Sequence, residues 1–298
     1  MSIERLIACA ARRRKISTEA PIELIRKHGL GPLAHRLGSA GLQRDAIASA
    51  LMYEHQEKVT REVTSALARR GVPVMLIKGM ASARRHYDEP GDRPMTDVDL
   101  LVAADAHAEA AKAIRQCGFW PAGEPRERGR FHHALTLKRP GAAIDLHRSI
   151  VQPTRRGSTV RGLWQRAEKA PPEFGEALLP DRVDEALLTL AHIARHELAV
   201  RALSYVDAAR MLELLDRNEL ERRARRAKLW RGVRLAMAIC DALASERVPA
   251  RLRPLVDLVV ARREPSRPRQ ILRKLQLLDD PIEAARLGVG ALFETLGF

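Results

Sequence analysis

The chain has 298 residues, of which 46% are hydrophobic, and its formal net charge is +15. This length allows one large domain or two ordinary ones, and the apolar fraction is sufficient to build a core. No segment approaches the run of about 20 apolar residues that a membrane-spanning helix requires, and no signal-peptide pattern is present. We therefore expect a cytoplasmic protein without a membrane partner.

The cysteines indicate the redox compartment of the protein, and the net charge indicates which classes of molecule it would attract. Cys9, Cys117 and Cys240 are too far apart in sequence to form a metal-ligand or redox motif, which indicates a reduced protein. The positive charge would attract nucleotides, RNA or an acidic protein. A solvated, arginine-rich surface is the simpler explanation of that charge. Aromatic residues make up 4% of the chain, too few for a surface that stacks the bases of a single strand.

The N-terminal part of the chain has a helical pattern. Apolar residues recur at helical spacing over residues 3–70, and residues 42–70 are predicted to form one long helix. Gly71 and Pro73 end that helix. Residues 1–70 are therefore predicted to be an N-terminal helical region.

Strands and helices then alternate. Residues 74–77 form a short, continuously apolar run of the kind found in buried strands, and an Ala-rich helix over 80–87 follows it. Residues 88–96 contain two prolines and a glycine and are predicted to be a loop. A second strand over 98–102 and a second helix over 103–117 complete the pattern.

A β-hairpin and a series of helices follow. Residues 133–137 and 142–146 are strand-like runs on either side of the turn signal Pro140-Gly141. Beyond residue 161 the pattern is wholly helical, with predicted helices over 182–196, 200–215, 219–227, 229–244 and 252–262.

These elements predict an α+β fold. A small mixed sheet over residues 71–160 would lie between the N-terminal helices and a C-terminal helical domain over residues 161–298.

Three aspartates lie on the predicted strands of this core. Asp97 and Asp99 are two residues apart, so their carboxylates share one face of a strand, with Cα atoms about 6.5 to 7 Å apart. That span suits two hard cations about 3.5 to 4 Å apart, and oxygen ligands favour Mg²⁺. Asp145 is flanked by apolar residues at the end of another predicted strand, where an unpaired carboxylate would be costly to bury.

An acid-x-acid triplet by itself is usually a helix cap or a solvated strand edge. Its neighbours in this sequence favour a functional role. Lys78 and Gly79 end one strand and open a helix, whose free backbone N–H groups and dipole favour a phosphate, and glycine allows close approach. Together with the three aspartates, this turn predicts phosphoryl-transfer chemistry.

The same residues carry a resemblance to a known family. The sequence is similar to the uncharacterised bacterial nucleotidyltransferases of the polymerase-β-like superfamily over roughly residues 74–147, and more loosely over the helical half. The motifs that carry this resemblance are Leu76-Ile77-Lys78-Gly79, Tyr87, Arg93-Pro94-Met95-Thr96-Asp97-Val98-Asp99-Leu100-Leu101-Val102 and Ile144-Asp145-Leu146-His147.

The resemblance implies a mixed sheet backed by helices, two Mg²⁺ ions, for which Mn²⁺ could substitute, and a nucleoside triphosphate such as ATP as substrate. Asp97 and Asp99 would bind both ions, and Asp145 would complete the ion that activates the acceptor hydroxyl. Attack on the α-phosphorus would release pyrophosphate. The superfamily commonly has Gly-Ser at the phosphate helix, whereas Met80 follows Gly79 in this sequence, so the contact of a serine hydroxyl is missing and Lys78 would compensate for it.

Three further residues are predicted to contact the substrate. Lys78, at the end of a strand beside Gly79, could neutralise developing phosphate charge, and an ordinary solvated lysine is the alternative. Arg93, on the Pro- and Gly-rich loop before Asp97, could bind the triphosphate through its guanidinium, and a structural salt bridge is the alternative. His147 should share a strand face with Asp145 and could contact substrate or a metal-bound water. A hydrogen-bonded structural role for His147 is equally consistent with the sequence.

Other histidines give weaker signals. His192 and His196 share a helix face at a spacing that can bind a transition metal, but the sequence between them lacks the glutamate of the zinc-protease motif. We expect them to pack within, or to line a groove beside, the helical half, where Asp207 could partner one of them. His132 and His133 are more typical of surface residues.

The leading hypothesis is therefore a nucleotidyltransferase that acts on an unidentified small molecule, RNA or protein hydroxyl. The alternative is a non-catalytic, antitoxin-like interaction protein that binds an acidic partner or nucleic acid through its basic surface. Three converging carboxylates favour the enzyme, because a scaffold has no physical need for them.

Overall fold

The computed structural model describes residues 3–15, 21–122, 134–149, 162–261 and 277–279. The chain forms two compact units, which we call the sheet unit, Leu42–Glu185, and the helical unit, Met1–Gly41 with Ala186–Phe298. All the aspartates of the predicted site lie in the sheet unit. The division into residues 1–70, 71–160 and 161–298 stays a prediction.

The sheet unit is built on a mixed sheet of seven described strands. Their order in the sheet is β3-β4-β5-β2-β1-β7-β6. β2 pairs with β5, and β1 with β7, in parallel, and the other pairs are antiparallel. This mixed sheet confirms the predicted α+β class. The strands are β1 (Met75–Ile77), β2 (Val98–Leu101), β3 (Trp120–Pro121), β4 (Ala134–Arg139), β5 (Ala142–His147), β6 (Glu168–Lys169) and β7 (Leu178–Leu179).

Three helices of this unit accompany the sheet, namely α4 (Gln43–Ala68), α5 (Gly79–His86) and α6 (His107–Gln116). Every residue of the central strands β1 and β2 is buried, which explains their nearly continuous apolar sequence. On α4, the core-facing residues Val59, Val63 and Leu67 recur every four positions, as expected for one face of a helix. The predicted long helix over residues 42–70 is therefore confirmed.

The predicted hairpin is confirmed as β4 and β5, joined by Pro140 and Gly141. Gly141 has φ of 77°, a conformation that glycine adopts without steric cost. Because Arg139 pairs with Ala142, every later pair is determined by counting outward from the turn. His133, the predicted start of the first strand, lies outside the described residues.

The prediction that the chain is wholly helical beyond residue 161 is wrong. β6 and β7 lie in this segment and extend the sheet beside β1, where the N–H of Leu178 donates to the carbonyl of Val74. Between the two strands the chain forms only a short 3-10 helix, Pro172–Phe174, which follows Pro171 and ends at Gly175, with φ of 68°. Each strand has two residues, too few to show an alternating pattern, and β3 was missed for the same reason.

The helical unit contains the other described helices. Helices α1, α8 and α10 pack against one another, and Leu6, Ile7, Val206 and Ile239 are buried in this unit. The five predicted C-terminal helices are confirmed to within two residues at each end. None of the described helices is long and apolar enough to cross a membrane. The helices are α1 (Ile3–Ala11), α2 (Ile22–Lys27), α3 (Gly31–Arg36), α7 (Arg182–Arg195, which begins in the sheet unit), α8 (Ala202–Glu213), α9 (Arg217–Arg226), α10 (Trp230–Ser245) and α11 (Arg253–Ala261).

Candidate active site

The parallel pairing of β2 with β5 brings the predicted acids together. Asp99 lies directly opposite Asp145 in the register, so their side chains leave the same face of the sheet. One ligand atom from each of Asp99, Asp145 and His147 lies within 4.8 Å of the others. Asp97 precedes the first residue of β2 and lies two positions before Asp99. The later strand therefore brings its carboxylate to Asp99, and Asp97 is not part of the group whose ligand atoms converge.

Asp99 is the most buried of the three acids, with 7% of its surface exposed. Its Oδ1 lies 2.6 Å from Nζ of Lys78 and 2.8 Å from Nε2 of His147. Burial alone would raise the pKa of Asp99, but the ammonium of Lys78 and the hydrogen bond from His147 outweigh burial and hold it well below its usual range. Asp99 is therefore a carboxylate anion at neutral pH.

At Asp97 the effects that raise the pKa outweigh those that lower it. Its pKa is raised by burial first, and then by the negative charges of Asp99 and Asp145, while Lys78 opposes this shift. Thr96 Oγ1 is 3.4 Å from the Asp97 carboxylate and also lowers its pKa. Because the neighbouring carboxylates disfavour a further negative charge, a cation at this point would stabilise the ionised cluster.

The donor set fits a hard divalent cation. The carboxylate oxygens of Asp99 and Asp145, which leave one face of the sheet, match the preference of Mg²⁺ and Mn²⁺ for oxygen ligands. Within the part of the chain that the structure describes, the one group of side chains close enough to hold a metal is Asp99, Asp145 and His147. The roles of the individual residues stay predictions.

Asp145 has a hydrogen-bond partner that the sequence analysis did not identify. Thr136 lies opposite it on β4, and its hydroxyl donates to Oδ1 of Asp145 at 2.6 Å. This bond fixes the orientation of a carboxylate that is only partly buried. The signal was present in the sequence, because Thr136 and Asp145 each lie four residues from the two-residue turn Pro140-Gly141 and are therefore paired in the hairpin.

Lys78 and Gly79 form a sharp strand-to-helix turn. Lys78 follows β1 directly with φ of 54° and ψ of −121°, and Gly79 is the first residue of α5. A Cβ added to Gly79 would lie 3.3 Å from Nη1 of Arg93 and 3.8 Å from Cβ of Met95. The structure thus places the Arg93 guanidinium beside the N-terminus of α5, where backbone N–H groups favour an anion.

The C-terminal half of α5 is held by a buried acid, Glu185, which the sequence analysis also missed. Glu185 is 1% exposed, and its carboxylate lies 3.0 Å from Nη1 of Arg85, 3.3 Å from Nε2 of His86 and 3.3 Å from Oγ of Ser82. Burial would raise the pKa of Glu185, but His86 and Arg85 outweigh it and lower the pKa. This cluster secures the helix whose first residue is Gly79.

The other histidines singled out in the sequence are not part of the acidic cluster that the structure describes. His192 lies on α7 and His196 directly follows its last residue, with ring centroids 4.5 Å apart, and Asp207 is buried on α8, all in the helical unit. Their roles stay predictions. His132 and His133 lie outside the described residues.

Comparison with known proteins gives a family for this arrangement. The solution structure of the antibiotic-resistance factor ANT(2'')-Ia is similar with a TM-score of 0.42 and 12% identity, covering 57% of this chain and 89% of that chain. No curated protein matches the chain in sequence. The family model described as "Uncharacterised nucleotidyltransferase" matches residues 7–245, a range that includes the whole acidic cluster and the turn at Gly79. The chain therefore belongs to this nucleotidyltransferase family.

Proposed function

We propose that the protein transfers a nucleoside monophosphate from a nucleoside triphosphate, such as ATP, to an acceptor hydroxyl in a reaction that depends on a divalent cation. The observation that carries this proposal is the register of β2 and β5, which sets Asp99 opposite Asp145. Family membership supports nucleotidyl transfer in general terms. The acceptor is a small molecule, an RNA end or a protein hydroxyl.

Asp97, Asp99 and Asp145 would hold Mg²⁺ or Mn²⁺. When bound, the cation would neutralise phosphate charge and lower the pKa of the acceptor hydroxyl. This assignment is supported by the raised pKa of Asp97, because the cause of that shift includes the like charges of the other two carboxylates.

The turn at Gly79 and the loop before Asp97 would bind the triphosphate. The N-terminal N–H groups of α5 would donate to phosphate oxygens, and Arg93 would pair with phosphate through its guanidinium. The lack of a side chain at Gly79 leaves space for the phosphate chain to approach the backbone. Arg93 and α5 thus orient the substrate from one side of the acidic cluster.

In the transfer step, the acceptor oxygen forms a bond to the α-phosphorus. The bond from the α-phosphorus to the oxygen that bridges to the β-phosphorus breaks, and its electron pair leaves with pyrophosphate. The hydroxyl proton passes to solvent. The orientation of the triphosphate by α5 and Arg93 is what places the α-phosphorus in line for this attack.

The experiment is label transfer from α-³²P nucleoside triphosphates into cell extract, with Mg²⁺ or Mn²⁺ and purified protein. We expect Asp97→Asn to lower transfer by about a hundredfold or more, since a metal ligand is worth several kcal/mol in such reactions. Asp105→Asn is the matched control, because Asp105 is an exposed aspartate beyond the end of β2. The labelled species would identify the class of acceptor.

An equal rate of transfer by wild type and Asp97→Asn would refute the catalytic assignment. Salt-sensitive binding of nucleic acid without cation-dependent transfer would instead support the basic surface as the functional one.

A further inference from the structure

A cavity of about 590 Å³ lies within the helical unit, and no residue of the acidic cluster lines it. Its wall is formed at the ends of α1, α8 and α10, which pack against one another. Ala209 of α8 and Ala238 and Ala242 of α10 line it, and these small side chains leave the space between the helices unfilled. The volume is within the range of about 300 to 1,000 Å³ that is typical of small-molecule sites.

Four arginines line this cavity, and only one of them has a partner among the residues that the structure describes. Arg217 donates to both carboxylate oxygens of Asp241, each at 2.8 Å, so the charges of this pair cancel. The exposed side chains of Arg12, Arg247 and Arg251 form neither a hydrogen bond nor an ion pair with a described residue. Three guanidinium groups around one cavity therefore keep their donors available.

The arginines of α9 show how the same residue type is arranged on a solvated surface of this chain. Arg222 and Arg223 both pair with Glu219, and Arg225 pairs with Glu221 one turn earlier on the helix. Such pairs at helical spacing neutralise the surface locally. The three unpaired arginines of the cavity differ from this arrangement, because their positive charges converge on a shared space.

The cavity has a positive charge after all the charged groups on its wall are counted. Glu213 is the acid on the wall that opposes Arg12, Arg247 and Arg251, and three positive charges and one negative charge leave two positive charges. The C-terminal ends of α1, α8 and α10 add partial negative charge. The first turn of α9 and the short 3-10 helix Ala250–Leu252 add partial positive charge, which offsets most of it. About one to two positive charges therefore remain for a ligand to neutralise.

A phosphate monoester matches both the charge and the wall. Its phosphate group carries about 1.5 to 2 negative charges at pH 7 and offers three acceptor oxygens, which guanidinium groups bind in a bidentate manner. Leu252 and the alanines of α8 and α10 offer apolar surface to an organic group. We propose that this cavity binds a small organic phosphate monoester, whose phosphate contacts Arg12, Arg247 and Arg251. This inference does not rest on the proposed function.

The test is calorimetric titration of phenyl phosphate into the full chain at neutral pH without a divalent cation. We expect phenyl phosphate to bind wild type at least about tenfold more tightly than inorganic phosphate does, because the ring is removed from water against the alanine wall. The double variant Arg247→Gln/Arg251→Gln should bind it about a hundredfold more weakly, since each charge-assisted hydrogen bond contributes about a factor of ten. Ala238→Leu fills the cavity, keeps every charge, and should weaken binding at least about tenfold.

Arg226→Gln is the matched control, because Arg226 is an exposed arginine at the end of α9 that does not line the cavity. It removes the same charge and should leave the affinity unchanged. If Arg226→Gln weakened binding as much as the loss of one cavity arginine, the probe would respond to the overall charge and the proposal would be wrong. The arginine variants change exposed side chains, so they decide the proposal even if Ala238→Leu fails to fold.

Three other results would overturn the proposal. One is the absence of phenyl phosphate binding to wild type. A second is equal affinity for phenyl phosphate and inorganic phosphate, which would exclude an organic ligand. A third is binding that Arg93→Gln abolishes and the double variant keeps, which would place the probe at the turn at Gly79.

Discussion

Thr136→Val tests whether the hydrogen bond to Asp145 prepares that carboxylate for a cation. Valine matches threonine in shape, so the substitution removes the hydroxyl donor at 2.6 Å from Oδ1 and leaves the packing of β4 nearly unchanged. The carboxylate keeps its charge but loses the group that fixes its orientation. The main expected effect is therefore on cation binding.

The expected loss of Mn²⁺ affinity is estimated from the strength of the hydrogen bond between Thr136 and Asp145. A hydrogen bond to a charged group contributes about 1.5 to 3 kcal/mol net, and the lower end applies because Thr136 and Asp145 are both only partly buried. About 1.4 kcal/mol corresponds to a tenfold change in an equilibrium constant. Loss of a partner that orients a metal ligand costs about 10- to 100-fold in affinity. We expect Mn²⁺ to bind Thr136→Val about tenfold more weakly than wild type.

The assay is calorimetric titration of Mn²⁺ into the nucleotide-free protein, with the thermal midpoint measured for each variant. Thr60→Val is the matched control: Thr60 is a buried threonine on α4 that donates to the carbonyl of Gln56 at 2.7 Å, away from the acidic cluster. Its loss should lower stability and leave Mn²⁺ affinity unchanged. If Thr136→Val bound Mn²⁺ as tightly as wild type while Asp145→Asn bound it weakly, the orienting role of Thr136 would be wrong.

Two further predictions concern α5. Gly79→Ala places a methyl group 3.3 Å from Nη1 of Arg93. We expect the affinity for ATP, measured by calorimetry, to fall at least about tenfold while the thermal midpoint stays the same. Unchanged affinity would exclude this turn as the phosphate site. Glu185→Gln should lower the free energy of unfolding, measured with urea at pH 7, by about 3 kcal/mol, because Arg85 loses a buried anionic partner. Since the folded-state pKa of Glu185 lies below the ordinary value of 4.5, its contribution is present above that pH and is lost as pH falls through the folded-state pKa. The difference between Glu185→Gln and wild type should therefore narrow in acid, and a constant difference down to about pH 3 would contradict the charge-based explanation.

Much of the site follows from local rules that act within a few residues. The two-residue period of a strand predicts that Asp97 and Asp99 share one face, and the short apolar run before Lys78 predicts β1 and the turn at Gly79. The hairpin of β4 and β5 follows from Pro140-Gly141, since a tight turn determines the pairing of the strands on either side.

Other contacts of the site involve residues that are far apart in the chain. Sequence alone left open whether His147 would contact the substrate or play a structural role, and in the structure its Nε2 contacts Asp99 on the adjacent strand. The bond from Thr136 to Asp145 could have been found by counting outward from the hairpin turn, since it depends on one local feature. The partners of Glu185 could not, because they are about 100 residues earlier in the chain.

The sequence by itself determined which residues are candidates to bind a cation or a phosphate, because residue type and local periodicity are properties of short segments. Only the tertiary structure decided that β2 and β5 lie side by side in parallel, with Asp99 opposite Asp145, and that Lys78 contacts Asp99. It also decided that the two-residue strands β6 and β7 join the sheet, which no local pattern could indicate. The physical reason is that parallel pairing and register depend on how the whole core packs, and not on the residues of either strand alone.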